Sequence, residues 1–208
     1  GTLIRTPLCR TIVYSSVHCS LLGEWNRLNC IAGVCDLNYM MMPAIHKRHQ
    51  EGKLIDLGNS MTPDAEKMIT INPDAILLSP YKDNGGYGKF DKSGIPIIEC
   101  ADYMETSPLG RAEWMKFYGM LYGCESQASS MFNKIEKEYL TYKSLALKSK
   151  SEKRPTVFAD LKSGATWMVP GGNSTTCIFL HDAGARYLFA DHAEIASISI
   201  SPEEVLDR

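Results

Sequence analysis

The sequence predicts an α/β protein of two lobes with mostly parallel sheets, joined by one long backbone helix, with the second lobe incomplete. Three observations predict it. Short apolar runs alternate with helical segments from Arg10 to Asp102, the pattern of a parallel sheet covered by helices. Between Ser107 and Lys150 apolar residues recur three or four apart, as on one face of a helix. Turn-and-strand sequence then resumes at Arg154. The expected division is an N-terminal lobe over 1–106, a helical segment over 107–150 and a partial C-terminal lobe over 151–208.

In the first lobe the expected strands are Thr11–Tyr14, Cys30–Val34, Leu54–Leu57, Ala75–Ser79 and Ile95–Cys100. Helices are expected between them over Val17–Trp25, Pro43–Gln50, Asp64–Ile71 and Tyr87–Ser93. Asn72-Pro73-Asp74 and Ser93-Gly94 read as turns feeding strands. In the middle segment, Gly119 and Gly123 break the helical pattern in two. The second helix, about Glu125 to Lys148, would span roughly 36 Å and act as a strut. Its apolar row is read as Ala128, Met131, Ile135, Tyr139, Tyr142 and Leu145. Lys134, Glu136, Lys137, Glu138 and Lys143 are placed on the wet face. The second lobe offers a strand at Thr156–Leu161, then over Ser163–Ser174 a turn, a short strand and a glycine loop capping a helix over Thr175–Ala183, and a strand at Ser197–Ser199. Ser201-Pro202-Glu203-Glu204 then starts a helix strongly. So few strands leave a sheet edge unpaired, so self-association of the chain is expected.

Composition narrows the function. A chain of 208 residues with 44% hydrophobic and 22% charged residues is globular. A net charge of −2 argues against a nucleic-acid partner. No run reaches membrane-span length. Gly1-Thr2 reads as a processing scar, which leaves export open. Seven cysteines without a C-x-x-C pair suggest neither a disulfide framework nor a zinc knuckle.

Ligands of open α/β sheets bind beyond the carboxyl ends of strands. Here those ends carry Ser15-Ser16, Cys35 to Tyr39, Gly58-Asn59, Ser79-Pro80-Tyr81 and Asp102-Tyr103. Such an edge, rich in Tyr, Asn and Ser, suits binding a bulky, partly apolar molecule better than breaking a bond. Ser16, Asn38, Tyr39, Tyr81 and Tyr103 are the candidate contacts, with Tyr87 near the same mouth. His46 and His49 lie three apart on a helix but beside Lys47 and Arg48, so a solvated face is the stronger reading. His18, Cys19, Cys35 and Asp36 could converge for direct metal capture. Pro170-Gly171-Gly172-Asn173-Ser174 resembles a phosphate loop but lacks its lysine.

Several motifs together carry a family resemblance. They are Pro108-Leu109-Gly110-Arg111-Ala112-Glu113-Trp114, Lys116-Phe117-Tyr118-Gly119, and Gly164-Ala165-Thr166-Trp167 followed by Pro170-Gly171-Gly172-Asn173-Ser174. With the Asn72-Pro73-Asp74 turn they resemble class III periplasmic substrate-binding proteins of ABC importers, which take up iron-siderophores, haem and cobalamin. The resemblance implies two Rossmann-like lobes with the ligand held between them, and family members continue well past the position of Arg208. Trp167 would then stack on the ligand, and Glu66 and Glu203 would dock onto the importer permease. It implies a metal-chelate or corrinoid ligand and no catalysis or cofactor. It also implies a periplasmic place, free or as a lipoprotein anchored on the outer side of the inner membrane. Two other functions remain open at this point: a carrier of free zinc, manganese or iron using His18, Asp36 and a cysteine, and an enzyme on the same scaffold.

Overall fold

The computed structural model describes residues 2–80, 93–149, 154–160, 162–164 and 166–208. Two compact units form: Gly1–Tyr103 with Met115–Ser129, and Met104–Trp114 with Ser130–Arg208. The helix expected over Tyr87–Ser93 lies outside the described residues, apart from Ser93 itself.

The first unit is a five-stranded parallel sheet. Its strands are β1 (Thr11–Val13), β2 (Ile31–Val34), β3 (Ile55–Asp56), β4 (Ala75–Leu78) and β5 (Ile97–Glu99), in the order β3-β2-β1-β4-β5. The chain works outward from β1 to β3, then returns to place β4 against β1's other side. That reversal is the topological switch point of a doubly wound sheet. Buried Ile12, Leu57, Met68, Ile71, Ile76 and Leu78 form the core. The helices between strands are α1 (Ser16–Glu24), α2 (Pro43–Gln50) and α3 (Ala65–Ile71), each within one or two residues of expectation. Their starts follow local chemistry. Ser15 Oγ accepts from the Val17 amide and Asp64 Oδ1 from the Lys67 amide, each satisfying an orphan helix donor. At Gly33 on β2 a side chain would come within 2.8 Å of Ile71 Cδ1, so glycine lets α3 sit tightly on the sheet.

Two helices follow, α4 (Pro108–Tyr122) and α5 (Glu125–Lys148). The break falls where the glycines put it. Gly123 has φ +64°, and the Cys124 amide returns to the Gly119 carbonyl at 2.7 Å. A Cβ on Gly119 would stand 2.5 Å from that of Ala128, so α4 and α5 touch there backbone to side chain.

The buried face of α5 differs from the sequence reading. Ala128 and Phe132 are buried and Tyr139 half-buried, while Ile135, Tyr142 and Leu145 are exposed. The expected row advances 17 residues in five steps, short of the 18 that five helical turns need, so it winds off the face. Phe132, Glu136, Tyr139, Lys143 and Ala146 run closer to the helical period and are all at least half-buried. Lys143, expected on the wet face, lies along it and pairs with Asp182.

The second unit holds β6 (Thr156–Val157), β7 (Lys162–Ser163), β8 (Thr166–Pro170), α6 (Thr175–Asp182), β9 (Arg186–Tyr187), β10 (Ser197–Ile200) and α7 (Pro202–Leu206). β6 and β9 pair in parallel, whereas β8 pairs antiparallel with both β7 and β10. Val169, Cys177, Tyr187, Phe189 and Ile200 form its core. The loop Pro170-Gly171-Gly172-Asn173 directs its donors inward. The amides of Gly171, Gly172 and Asn173 go to the carbonyls of Ala196, His192 and Glu194 at 3.1, 2.8 and 3.1 Å. A Cβ at Gly172 would stand 2.3 Å from the His192 carbonyl oxygen. The loop is a clasp for residues 190–196, and its donors are not free for an anion.

Six of the seven cysteines are buried and only Cys9 is exposed. Native protein at neutral pH should therefore react with one equivalent of a thiol reagent quickly, and with seven after denaturation. A second fast thiol would contradict the packing. Asp182 gives a pH prediction. Burial pushes this carboxyl up, but hydrogen bonds from Lys143 (2.8 Å), Tyr139 (2.5 Å) and His181 outweigh it and hold the acid below its ordinary range. A depressed folded-state pKa adds stability above the unfolded value, near 3.9, and loses it as pH falls through the folded value. Asp182→Asn should lower stability at pH 7 and flatten its decline below about pH 4, measured by urea unfolding across pH.

Candidate functional site

The carboxyl edge of the first unit's sheet opens into a cavity of about 330 Å³, at the small end for ligand sites. Tyr14, Ser15, Ser16, Asp36, Tyr39, Met40, Ser60 and Ser79 line it. Tyr14 follows β1 and Ser79 follows β4, so the cavity sits at the switch point. Ser15 and Ser16 begin α1, and Tyr39 belongs to a 3-10 turn over Leu37–Tyr39. A smaller neighbour of about 120 Å³, lined by Val17, Cys19 and Met40 to Met42, shares Ser16 and Met40 with it.

Asp36 shapes the wall. Its φ is +50°, a left-handed conformation that Asp tolerates better than most residues. The strain is held by two bonds: the Asp36 amide donates to the Gly58 carbonyl at 2.7 Å, and Oδ1 accepts from the Ser60 amide at 3.3 Å. Behind Asp36, burial pushes the Cys35 thiol up to about 12. Burial likewise raises the Tyr14 phenol well above its ordinary value, reinforced by Cys35 and Asp36. Both groups are neutral at physiological pH. Neither is an activated nucleophile, which would need a lowered pKa or an adjacent base.

The expected contact residues divide. Ser16 and Tyr39 meet at the cavity, and Tyr39 is 80% exposed. Asn38 is on the same turn, facing solvent. Tyr103 is exposed and its hydroxyl donates to the Pro80 carbonyl, pinning the chain after β4. Tyr81 and Tyr87 lie outside the described residues. Trp167, on β8, is half-buried against the second unit's core, edge-on to Phe158 at 5.0 Å. Glu66 and Glu203 are exposed at the second position of α3 and α7, whose caps are Asp64 and Ser201. Tyr14, Met40 and Ser60 were not anticipated. Tyr14 reads as the last residue of an apolar strand, and nothing local marks Met40 or Ser60.

His18 does not join Cys35 and Asp36. It is 3% exposed, with Nε2 3.2 Å from Asp102 Oδ1 and 2.9 Å from the Tyr118 hydroxyl, which donates to Asp102 Oδ1 at 3.1 Å. Its Nδ1 is buried with no hydrogen-bond partner among the described residues. Asp102, expected at the ligand edge, is thus an internal acceptor. His46 and His49 are latches: Nε2 of His46 lies 2.5 Å from the Met40 carbonyl, and Nδ1 of His49 lies 3.0 Å from that of Leu54. Among the described residues no three His, Cys, Asp or Glu side chains gather as a metal site would require.

In doubly wound sheets the switch point at the carboxyl ends of the strands is where ligands bind, and here it is open and rich in hydroxyls. Residues 34–208 match the periplasmic binding protein family, and the chain belongs to it. It is similar to an uncharacterized lipoprotein of Methanocaldococcus jannaschii, 31% identical over 99% of this chain and 51% of the relative. The chain spans about half the length, or less, of the curated relatives it matches. Among solved structures it is similar to the petrobactin-binding protein YclQ of Bacillus subtilis (TM-score 0.70, 18% identity, 96% of this chain and 68% of that one). It is also similar to the periplasmic heme-binding protein HutB of Vibrio cholerae (TM-score 0.71, 15% identity, 95% and 72%). At such identities the likeness shows the fold.

Asp102→Ala removes the acceptor shared by His18 and Tyr118 and should destabilise the protein by about 2–4 kcal/mol, read from the urea midpoint. A loss under about 0.5 kcal/mol would show that the buried set contributes little.

Proposed function

We propose that the chain captures a metal chelate, of the iron-siderophore, haem or cobalamin type, and hands it to an ABC importer outside the cytoplasmic membrane. The observation that carries this reading is the open cavity at the sheet's switch point, walled by hydroxyls and an exposed tyrosine. Family membership and the similarity to binding proteins for petrobactin and heme support it. The lipoprotein relative supports attachment by a lipid anchor. Tyr39 offers an exposed aromatic face for the cargo, and Ser16 a hydroxyl; Asn38, Tyr81, Tyr103 and Trp167 are further contacts in this reading. No chemistry is required of the protein, in keeping with the neutral Tyr14 on the cavity wall and the neutral, fully buried Cys35 behind Asp36.

Glu66 and Glu203 serve as docking points for the permease. Each is exposed in the first turn of a helix whose cap is already filled by Asp64 or Ser201, so neither glutamate is needed to cap. Charge pairs of this kind chiefly steer and register partners.

Two measurements test the reading on full-length protein. Calorimetric and spectral titration with heme, cyanocobalamin and ferric siderophores should find one tight ligand, weakened about tenfold or more by Tyr39→Ala; absence of binding to all of them removes the proposal. The double variant Glu66→Ala with Glu203→Ala should bind ligand normally and abolish uptake. Unchanged uptake removes the docking role alone.

A further inference from the structure

We propose that a soft monovalent metal ion, copper(I), binds beside the switch-point cavity on three sulfurs: the thioethers of Met40 and Met42 and the thiol of Cys19. This site is independent of the carrier reading and needs no chelate.

The smaller cavity of about 120 Å³ is walled by Cys19 and by Met40, Met41 and Met42, together with Ser16 and Ser20. Two elements bring the sulfurs to it. On α1, Ser16, Cys19, Ser20 and Gly23 recur at i, i+3, i+4 and i+7 and so share one face. The segment from Met40 to Met42 lies against that face. Met40 and Met42 both have extended backbones, with φ/ψ of −79°/103° and −82°/114°. Alternate residues of an extended chain point to the same side. Met40 is accordingly 3% exposed and Met42 half-buried, while Met41 between them is 88% exposed. Met42 Sδ lies 3.6 Å from where a Cβ on Gly23 would stand, one turn beyond Cys19. Glycine at that place lets the sulfur rest on the helix. Met40 is steadied through its carbonyl, which lies 2.5 Å from Nε2 of His46.

The donors choose the ion. Thioethers are neutral and soft, so they suit copper(I) better than manganese or iron(II). Two thioethers beside one thiol are also a poor set for zinc, which takes thiolate, imidazole and carboxylate. Cys19 is 1% exposed, and its proton passes to solvent when the sulfur bonds a metal. One thiolate and two thioethers then surround one positive charge. Core packing alone also buries Met and Cys, but a packed core leaves few voids larger than a water molecule, and here an open one adjoins the sulfur side chains. That space is below the roughly 300 Å³ at which sites for organic ligands begin, and ample for one ion.

The test uses full-length protein carrying Cys9→Ser, so that this exposed thiol does not compete for metal. It is titrated without oxygen against copper(I) held by a weak chelator, ferrozine. The protein should withdraw copper(I) from the chelator, and zinc(II) at the same concentration should not displace it. Met40→Leu with Met42→Leu keeps side-chain volume and should weaken copper(I) affinity about tenfold or more with little change in the urea midpoint. Undiminished affinity in that double variant overturns the site, as does failure to withdraw copper(I) or displacement by zinc(II). A second measurement leaves both methionines in place. Silver(I), a soft ion of the same charge, should slow peroxide oxidation of Met42 to its sulfoxide about fivefold or more, read by peptide mass spectrometry, and leave that of exposed Met61 unchanged. Equal oxidation of Met42 with and without silver(I) overturns the site as well.

Discussion

One buried carboxylate oxygen, Oδ1 of Asp102, holds the carboxyl edge of the first unit's sheet in place. It lies within hydrogen-bond distance of His18 on α1 and accepts from Tyr118 on α4, while Asp102 itself follows β5. Three elements from distant parts of the chain thereby meet at one point. A polar set in a low-dielectric interior is stabilising when satisfied and costly when broken, so it admits one arrangement. A second tie runs parallel to it: the Tyr122 hydroxyl donates to Thr11 Oγ1 at 2.9 Å, and Thr11 donates to the Cys30 carbonyl at 3.0 Å. Together they fix α1 and α4 on the sheet. The position of α1 then decides where Ser15 and Ser16 stand, and with them one wall of the cavity.

The two units use similar sequence material to opposite ends. In the second, a glycine-rich loop before a helix has the outline of an anion cradle, yet its amides fold back onto carbonyls of residues 190–196. Its glycines are required because that strand of chain passes within a Cβ's reach. In the first, the loops after β1 and β4 leave serine hydroxyls facing open space. Whether a polar loop binds ligand or its own chain is decided by what packs beside it, and proximity of that sort has no local sequence signal.

Much of the architecture was legible. Short apolar runs, period-3.6 patterns, helix starts at Asp64 and Ser201, and the glycine break at Gly123 placed the first unit's five parallel strands and, among the described residues, the seven α-helices closely. The row along α5 was misread because a line drawn three or four residues at a time slips off the face when its steps average too short. The antiparallel pairing of β8 with β7 and β10 was not foreseen, since strands of two to five residues carry no register information. At the site, strand ends gave Ser16 and Tyr39. Asp102 and His18 were misplaced for one reason: both are polar residues near strand ends, and only their separation of 84 positions in sequence, closed by the fold, shows that they satisfy each other.

The left-handed backbone at Asp36 carries an evolutionary corollary. Few residues occupy that conformation comfortably, and asparagine is among them. The codons for aspartate and asparagine differ by a single base. A lineage could therefore swap an ion for an amide on the cavity wall without disturbing the Gly58 and Ser60 contacts that hold the turn, and so change the charge of that wall while the scaffold stays unchanged.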